Sequence, residues 1–301
     1  MSVYDKNGNL LIDIYDKSGN SLSTAFDKDG NVVFAKNPLS LKVMTFNVGQ
    51  WWKGGGGGIS DESTASNYRT LFNKIFTDQD VDFVCIQEYW QSIGQQTAKA
   101  LLEQYFQYVI EVCPTGANYF KHAIASKYPI TNFVTAPLAK NPTFKTVDEN
   151  TNTNRFIDRC NITIDNKVFT VFNTHFGLDT TERARNTEWL IGVMHGYSNV
   201  IACGDYNLHC HNDTHADYTD VVEVFLDNGY HCANCTDFDF INTYTADTGK
   251  TATMDNGHPC DNIVTSRNIL IDDVWVDESK LTDNIGDKID HIPLIAELTV
   301  Y

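Results

Sequence analysis

The sequence predicts a layered fold of mixed α/β or α+β class. Short apolar runs typical of β-strands alternate with segments of helical periodicity, which argues against an all-helical bundle. The chain has 301 residues, 42% of them apolar, so it is long enough to bury a substantial core. Because α/β folds of about 250 residues are often single domains, we expect one main domain.

The first 36 residues contain a repeat with a period of 11 residues. Its three units begin at Tyr4, Tyr15 and Phe26, and each places a Gly-Asn turn between aromatic and aliphatic residues. This pattern predicts short β-hairpins. The repeats resemble those appended to tail-associated proteins of bacterial viruses, which implies attachment or homo-oligomerisation. We therefore divide the chain into a β-repeat segment, residues 1–37, and a main domain, residues 38–301.

Helical periodicity in the main domain is clearest just before residue 80. Apolar residues recur there at i, i+3, i+4, i+7 and i+8, which predicts one buried stripe on a helix. These residues are Tyr68, Leu71, Phe72, Ile75 and Phe76. A second helix is predicted to begin at Ser92, and two more cover residues 182–197 and 218–228.

The predicted strands include a β-hairpin in the middle of the chain. Residues alternate on either side of Asp165 and Asn166, so the second strand of this hairpin leads to His175. Four later strands are predicted at residues 240–244, 262–266, 269–276 and 293–300.

Polar residues follow several of these apolar runs, at the points where buried strands should end. The segment Gly204-Asp205-Tyr206-Asn207 comes directly after Val200-Ile201-Ala202-Cys203. Similar polar groups at strand ends are Asn47, Glu88, His175 and the pair Asp290 and His291. We interpret them as one divalent-metal phosphodiesterase site assembled from distant segments.

The residue types in this set suit Mg²⁺, which prefers oxygen ligands and keeps several waters. Glu88 is the expected anchoring ligand, and Asn47 and Asp290 could complete its shell. Asp205 and Asn207 could hold a second ion, or orient the attacking water and the leaving oxygen. Mn²⁺ and Ca²⁺ are alternatives to Mg²⁺.

The histidines of the set suit proton transfer and charge stabilisation. His291 can exchange protons near neutral pH, and Asp261 is the candidate to fix its tautomer. His175 could donate to a nonbridging phosphate oxygen. Arg159 could make a similar contact, although Arg155 competes for that role and a solvent-facing ion pair is the alternative for Arg159.

The order of these motifs resembles the endonuclease/exonuclease/phosphatase superfamily, whose fold is like that of deoxyribonuclease I. The resemblance spans about residues 41–301 and rests on Thr45-Phe46-Asn47-Val48, Ile86-Gln87-Glu88, Asn173-Thr174-His175, Gly204-Asp205-Tyr206-Asn207, Asp261-Asn262-Ile263 and Asp290-His291-Ile292-Pro293. It implies a four-layer sandwich of two packed β-sheets flanked by helices. It also implies Mg-dependent cleavage of a phosphoester, with Glu88 on the metal and His291, supported by Asp261, activating water.

Further substrate contacts are expected from less regular parts of the sequence. Tyr119 is our assignment for the tyrosine that many relatives use near the phosphate. Trp51 and Trp52 precede the glycine run Gly54 to Gly58, which predicts a mobile loop. As a lid, this loop could stack its tryptophans on a base or insert them into a lipid interface.

The net charge of -17 opposes tight nonspecific coating of DNA, but it is compatible with an enzyme that touches a phosphodiester locally.

No apolar run approaches the roughly 20 residues that cross a bilayer, and the N-terminus lacks the features of a secretory signal. These observations favour the cytoplasm, and the repeats would equally suit a viral particle.

The eight cysteines are expected to be mostly buried thiols. A zinc site is conceivable around Cys232 and Cys235, near His231 and the upstream His209, Cys210, His211 and His215. We do not expect structural zinc, because the chain has no second CxxC pair.

The leading functional hypothesis is a metal-dependent nuclease acting on DNA. Alternatives within the same fold are a phospholipid or sphingomyelin-type phosphodiesterase and an inositol or nucleotide phosphatase. A noncatalytic adaptor in a phage-like assembly is the alternative of another class. The presence of Glu88, Asp205 and His291 argues against the adaptor.

Overall fold

The fold is a sandwich of two β-sheets with helices on both outer faces, seen in a computed structural model of the chain. The structure describes residues 14–15, 21–22, 24–26, 32–35, 38–49, 61–112, 121–138, 155–178, 180–208, 218–234, 259–279, 289 and 291–301. The predictions for Trp51, Trp52, Tyr119, Asp290, the strand at 240–244 and most of the Cys and His cluster therefore lie outside the described residues.

Four short strands precede the sandwich. They are β1 (Ile14–Tyr15), β2 (Ser21–Leu22), β3 (Thr24–Phe26) and β4 (Val32–Ala35). β1 pairs antiparallel with β2, and β3 pairs antiparallel with β4. The hairpin prediction is thus confirmed for the second and third repeat units.

Fourteen further strands follow in chain order. They are β5 (Leu39–Asn47), β6 (Phe83–Gln87), β7 (Ser92–Ile93), β8 (Gln96–Thr97), β9 (Tyr108–Val112), β10 (His122–Ser126), β11 (Ile130–Pro137), β12 (Phe156–Ile164), β13 (Lys167–His175), β14 (Val200–Asp205), β15 (Tyr230–Cys232), β16 (Asp261–Ser266), β17 (Ile269–Val276) and β18 (Leu294–Val300). The predicted hairpin turning at Asp165 and Asn166 is confirmed, and both turn residues have positive φ, as a tight hairpin turn requires.

Twelve of these strands form two six-stranded sheets. The first sheet has the order β17-β18-β5-β6-β10-β9, and the second has the order β11-β12-β13-β14-β16-β15. Each sheet has one parallel pair near its centre, β5 with β6 and β13 with β14, whereas all other pairs are antiparallel. Because parallel strands need a crossover connection, a long helix joins each pair.

The helix between β5 and β6 is α1 (Glu62–Gln79). It begins where the side chain of Asp61 accepts a hydrogen bond from the amide of Thr64 at 2.7 Å, a regular N-cap. The predicted stripe, Tyr68 to Phe76, is buried against the first sheet, which confirms this helix.

The helix predicted to begin at Ser92 was placed too early. Ser92 lies in β7, Gly94 turns the chain with a φ of 65°, and β8 pairs back onto β7. The helix, α2 (Ala98–Leu102), starts only after Thr97, whose side chain caps the amide of Ala100. The turn glycine and the threonine cap outweigh the helical periodicity of the preceding residues.

The last two predicted helices lie on the second sheet. α3 (Thr180–Met194) connects β13 to β14. The predicted segment 218–228 begins as a π-helical stretch, Tyr218–Glu223, and continues as α4 (Val224–Asp227) before Gly229. No helix among the described residues has the length and apolarity needed to cross a bilayer.

Strand alternation divides the core into three apolar layers. Side chains such as Val43, Phe83 and Val171 pack between the two sheets. The opposite faces of the strands pack against α1 and α2 on one side and against α3 and α4 on the other. Two sheets between two helical layers make the expected four-layer sandwich, with its main core between the sheets.

Candidate active site

Inward-facing side chains change from apolar to polar towards one end of the sandwich. Along β5 the inward residues Val43, Thr45 and Asn47 occupy every second position, and along β14 Cys203 is followed by Asp205. The alternation of the strands therefore carries the polar groups at the strand ends into the space between the two sheets. The site therefore lies at one end of the space between the sheets, where polar residues replace the apolar residues of the core.

Gly204 lets β13 and β14 approach closely at this end. A Cβ atom on Gly204 would lie 2.5 Å from the backbone oxygen of Thr174, so a larger residue would push the strands apart. β14 pairs His175 with Asp205 in register. The glycine of the Gly-Asp-x-Asn segment thus places the Asp205 carboxylate beside the His175 ring.

Asp205 is the centre of the site. Its Oδ2 accepts a hydrogen bond from Asn47 Nδ2 at 2.9 Å, and lies 3.1 Å from His175 Nε2 and 3.6 Å from His291 Nε2. Its Oδ1 accepts from the backbone amide of Asn207 at 2.8 Å. Asp205 is 1% exposed, so both oxygens depend on these partners rather than on water.

Glu88 and Asn207 enter the site through an unusual backbone conformation. Both residues have positive φ, 49° for Glu88 directly after β6 and 52° for Asn207 two residues after β14, a conformation that non-glycine residues rarely adopt. Such backbone conformations persist where the surrounding structure enforces them, often at functional sites. Glu88 Oε1 accepts from Asn47 Nδ2 at 3.3 Å, whereas Asn207 donates its side-chain amide to the Phe176 carbonyl at 2.8 Å.

His291 and Asp261 form a buried pair beside Asp205. His291 Nδ1 lies 2.7 Å from Asp261 Oδ2, while Nε2 faces Asp205 across 3.6 Å, too far for a hydrogen bond. With its Nδ1 proton donated to Asp261, the neutral ring presents a basic Nε2 to the site. Asp205, Asp261 and His291 offer ligand atoms that all lie within 4.8 Å of one another.

Burial and the neighbouring groups hold His175 neutral and Asp205 ionised. Burial, followed by the Arg155 guanidinium, lowers the pKa of His175 to about 3. Burial alone would raise the pKa of Asp205, but its two imidazole neighbours and its hydrogen bonds lower it well below its usual value. A neutral His175 must therefore donate its Nε2 proton to the Asp205 carboxylate.

Of the two arginines considered from the sequence, the structure brings Arg155 to the site. Its side chain is buried, which lowers its pKa, and the charges of Asp205 and Glu88 oppose that shift. Arg159 instead donates to the Tyr197 hydroxyl and stacks its guanidinium over that ring at 5.2 Å. The register explains the difference, because Arg159 lies opposite Phe172, three residues before His175 on the neighbouring strand.

Sequence reasoning missed a layer of buried polar residues just behind these groups. Asn173 bonds through its side-chain amide to the Ile86 and Ala123 carbonyls, and its Oδ1 accepts from Gln87 Nε2 at 2.8 Å. His122 and Asp158 form a second buried pair. The sequence did contain a signal for these residues. Each polar residue lies on the inward face of its strand, either two residues before a site residue or at the end of the strand nearest the site.

The fold and this cluster of acids, imidazoles and amides define the structural class: a two-sheet α/β sandwich with a polar site at one end. The sequence profile of the endonuclease/exonuclease/phosphatase family matches residues 44–283, so the chain belongs to this family. The endonuclease/exonuclease/phosphatase family is a family of phosphoric ester hydrolases. A search of curated proteins by sequence found no match.

Solved structures agree on the fold. A Bacteroides vulgatus endonuclease/exonuclease/phosphatase is 18% identical with a TM-score of 0.66, over 87% of this chain and 100% of that one. Danio rerio TDP2, solved in complex with a single-strand DNA product, is 15% identical with a TM-score of 0.61, over 86% of this chain and 98% of that one. A Beutenbergia cavernae family protein has a TM-score of 0.61 at 14% identity, over 87% and 72% of the two chains.

Proposed function

We propose that this protein is a divalent-metal-dependent phosphodiesterase that cleaves DNA. A water molecule attacks phosphorus, a new phosphorus–oxygen bond forms, and the bond to the leaving oxygen breaks. His291 Nε2 takes the proton of the attacking water, and Asp261 holds the ring in the required tautomer through the 2.7 Å contact at Nδ1.

The other residues orient the phosphate and stabilise the charge that builds on it. His175 and Arg155 are the proposed donors to nonbridging oxygens, with Arg155 taking the role first considered for Arg159. Asp205 and Asn207 orient the attacking water and the leaving oxygen. His175 now donates to Asp205 across 3.1 Å, so it must turn this proton towards a bound phosphate.

The donor set suits a hard divalent cation. Two carboxylates, Glu88 and Asp205, share one amide nitrogen of Asn47, and this concentration of negative oxygen calls for a positive charge. Glu88, Asn47 and Asp290, which lies outside the described residues, would hold Mg²⁺. Asn47 would do so through Oδ1, which accepts a hydrogen bond from the Gly49 amide at 2.9 Å. When bound, Mg²⁺ polarises the phosphoryl oxygens and neutralises developing charge.

The single observation that carries the proposal is the continuous chain of contacts through Asp205. Three residues from separate strands or strand ends lie next to Asp205: Asn47, His175 and His291. Two more residues contact these neighbours, since Asp261 lies against His291 and Glu88 accepts from Asn47. A carboxylate that only interacts with solvent at the end of a strand would not need these contacts from distant segments. A general base, a carboxylate cluster and phosphate donors in one buried end support hydrolysis.

Hydrolysis of bis-p-nitrophenyl phosphate tests the reaction. We expect turnover with Mg²⁺ or Mn²⁺, none in EDTA, and a loss of about 10²- to 10⁴-fold in kcat for His291→Ala. His195→Ala is the matched control, because His195 is exposed after α3. Equal rates with metal, in EDTA and in His291→Ala would refute the proposal and leave the noncatalytic adaptor as the better explanation.

The choice of DNA rests on the family name and on the neighbouring fold solved with a DNA product. Parallel assays on plasmid DNA, RNA and sphingomyelin liposomes test it. Cleavage confined to the liposomes would replace the nuclease by a phospholipid phosphodiesterase, without changing the proposed chemistry.

We also propose that residues 1–37 attach or oligomerise the enzyme, separately from the catalytic domain at 38–301. The two described hairpins contain strands of only two to four residues, which are marginal on their own. Sedimentation of the full chain and of a chain beginning at Pro38 tests this. Loss of a larger species in the shorter chain is expected, and identical monomers would contradict the oligomer.

A further inference from the structure

A second buried imidazole–carboxylate pair lies behind the site. His122 Nδ1 is 2.7 Å from Asp158 Oδ2, and both side chains are 0% exposed. Among the described residues, the other polar atoms of the pair, His122 Nε2 and Asp158 Oδ1, have no hydrogen-bond partner. Buried polar atoms without partners are rare and call for an explanation.

The pair joins the two sheets. His122 opens β10 of the first sheet, and Asp158 belongs to β12 of the second. The apolar core below needs no ion pair to hold the sheets together, because Cys85, Ile124 and Val171 already pack there. A purely structural contact at this position would be better served by apolar residues.

Register places the pair next to His175. Asp158 lies opposite Asn173, and His175 is two residues further along the same strand, on the same inward face. Asn173 in turn donates to the carbonyl of Ala123, the residue that follows His122. Burial and the Arg155 guanidinium lower the pKa of His175 most, and His122 adds a smaller contribution in the same direction.

We propose that Asp158 and His122 together position the ring of His175, much as Asp261 positions the ring of His291. The two pairs share the same geometry, an imidazole Nδ1 at 2.7 Å from a carboxylate Oδ2. In each, the carboxylate fixes the ring and leaves Nε2 on the opposite side. His122 Nε2 then holds the His175 ring through a buried water, in the orientation that presents His175 Nε2 to Asp205 and the phosphate.

The proposal deepens the proposed function and rests on it for its kinetic test. Asp158→Asn keeps the shape of the side chain but removes the carboxylate, and His122→Asn keeps a nitrogen near Nδ1 but removes the Nε2 side. We expect each to lower kcat on bis-p-nitrophenyl phosphate by about 10- to 100-fold. KM should stay within about twofold, because neither residue touches substrate.

Cys160→Ala is the matched control. Cys160 is also 0% exposed and lies on β12 one inward step below Asp158, so its truncation disturbs the same strand without touching the pair. Its kcat should be unchanged. Equal losses in Cys160→Ala and Asp158→Asn, or an unchanged kcat in a folded Asp158→Asn, would overturn the proposal.

A spectroscopic test separates the positioning pair from the hydrolase proposal. In the full chain with ¹⁵N-labelled histidine and EDTA, the imidazole resonances of His175 are assigned by their loss in His175→Gln. We expect them to move in Asp158→Asn and in His122→Asn and to stay in place in Cys160→Ala. If the wild-type enzyme shows no hydrolysis, this result still decides the pair, because unmoved resonances refute it.

Discussion

The lower and upper halves of the space between the two sheets are built on the same strands but contain opposite chemistry. In the lower half, Val43, Cys85, Val171 and Cys203 form a fully buried apolar core. In the upper half, one or two inward positions further along these strands, Asn47, Gln87, Asn173, His175 and Asp205 are as deeply buried. The backbone pairing does not change between the halves.

This contrast shows how one pair of sheets can contain both a stable core and a polar site. A buried polar group costs free energy unless it is hydrogen-bonded, so a polar layer can exist only as a nearly complete network. The Thr45, Gln87 and Asn173 side chains supply that network just above the cysteines. We infer that the apolar half provides most of the stability and the polar half provides the chemistry.

The largest effect that would test this division is at Asp205. Asp205→Asn should lower kcat by about 10³-fold or more, because the proposed base, donors and metal ligands converge on its carboxylate. Steady-state hydrolysis of bis-p-nitrophenyl phosphate measures it. Asp227→Asn, an exposed acid on α4, is the control and should keep full activity. An active Asp205→Asn enzyme would place the chemistry elsewhere.

A second effect is the pH dependence of stability in metal-free protein. Folding lowers the pKa of His175 from 6.5 to about 3, so the unfolded chain binds the proton more readily. Stability is therefore complete above pH 6.5 and is lost as the pH falls towards 3, by about 1.4 kcal/mol per pKa unit at most. The lowered pKa of Asp205 adds a loss in the same direction at lower pH.

Urea unfolding in EDTA at a series of pH values measures this effect. The His175→Gln variant should lose less stability between pH 6.5 and 3 than the wild type. Parallel curves for the two proteins would show that His175 is not held neutral by the fold.

A third test compares the polar layer with a half-buried position on the outer face of the same hairpin. Asn173→Ala removes three buried hydrogen bonds that tie the second sheet to the first. We expect a loss of about 2–4 kcal/mol in the free energy of unfolding. Asn161→Ala, on the half-buried face of β12, should cost less than about 1 kcal/mol. Similar losses would mean that the network contributes little.

The smallest effect concerns the cysteines of the apolar half. Burial raises the pKa of Cys160 to about 12 and that of Cys85 well above its ordinary value, so neither forms a reactive thiolate. Peptide mapping after iodoacetamide treatment of native protein should find both unmodified. Labelling of either thiol before unfolding would show that the lower half opens to solvent.

Much of the architecture was predictable because it follows from local patterns. The apolar stripe from Tyr68 to Phe76 predicted α1, and the alternation about Asp165 and Asn166 predicted a hairpin, since burial of one face leaves a periodic trace in the sequence. The start of α2 was predicted wrongly because a turn at Gly94 and a cap at Thr97 override periodicity over so short a segment.

The sequence predicted which polar residues would lie together at this end of the sandwich, but not their contacts. Polar residues at strand ends identified Asn47, Glu88, His175, Asp205 and His291. The choice between Arg155 and Arg159 required the register of β12 against β13. Arg155 directly precedes β12 and Arg159 lies within it, so the sequence alone does not distinguish them.

The family, the alternating strands and the polar residues that end them could be predicted from the sequence, because they depend on residue type and local spacing. The three-dimensional structure was needed to show that Asp205 is the centre of the cluster, that Arg155 rather than Arg159 lies near it, and that His122 contacts Asp158. These contacts join residues as far apart as Asn47 and Asp205, on different sheets. Pairing across two packed sheets is set by strand order and register, which local sequence does not specify.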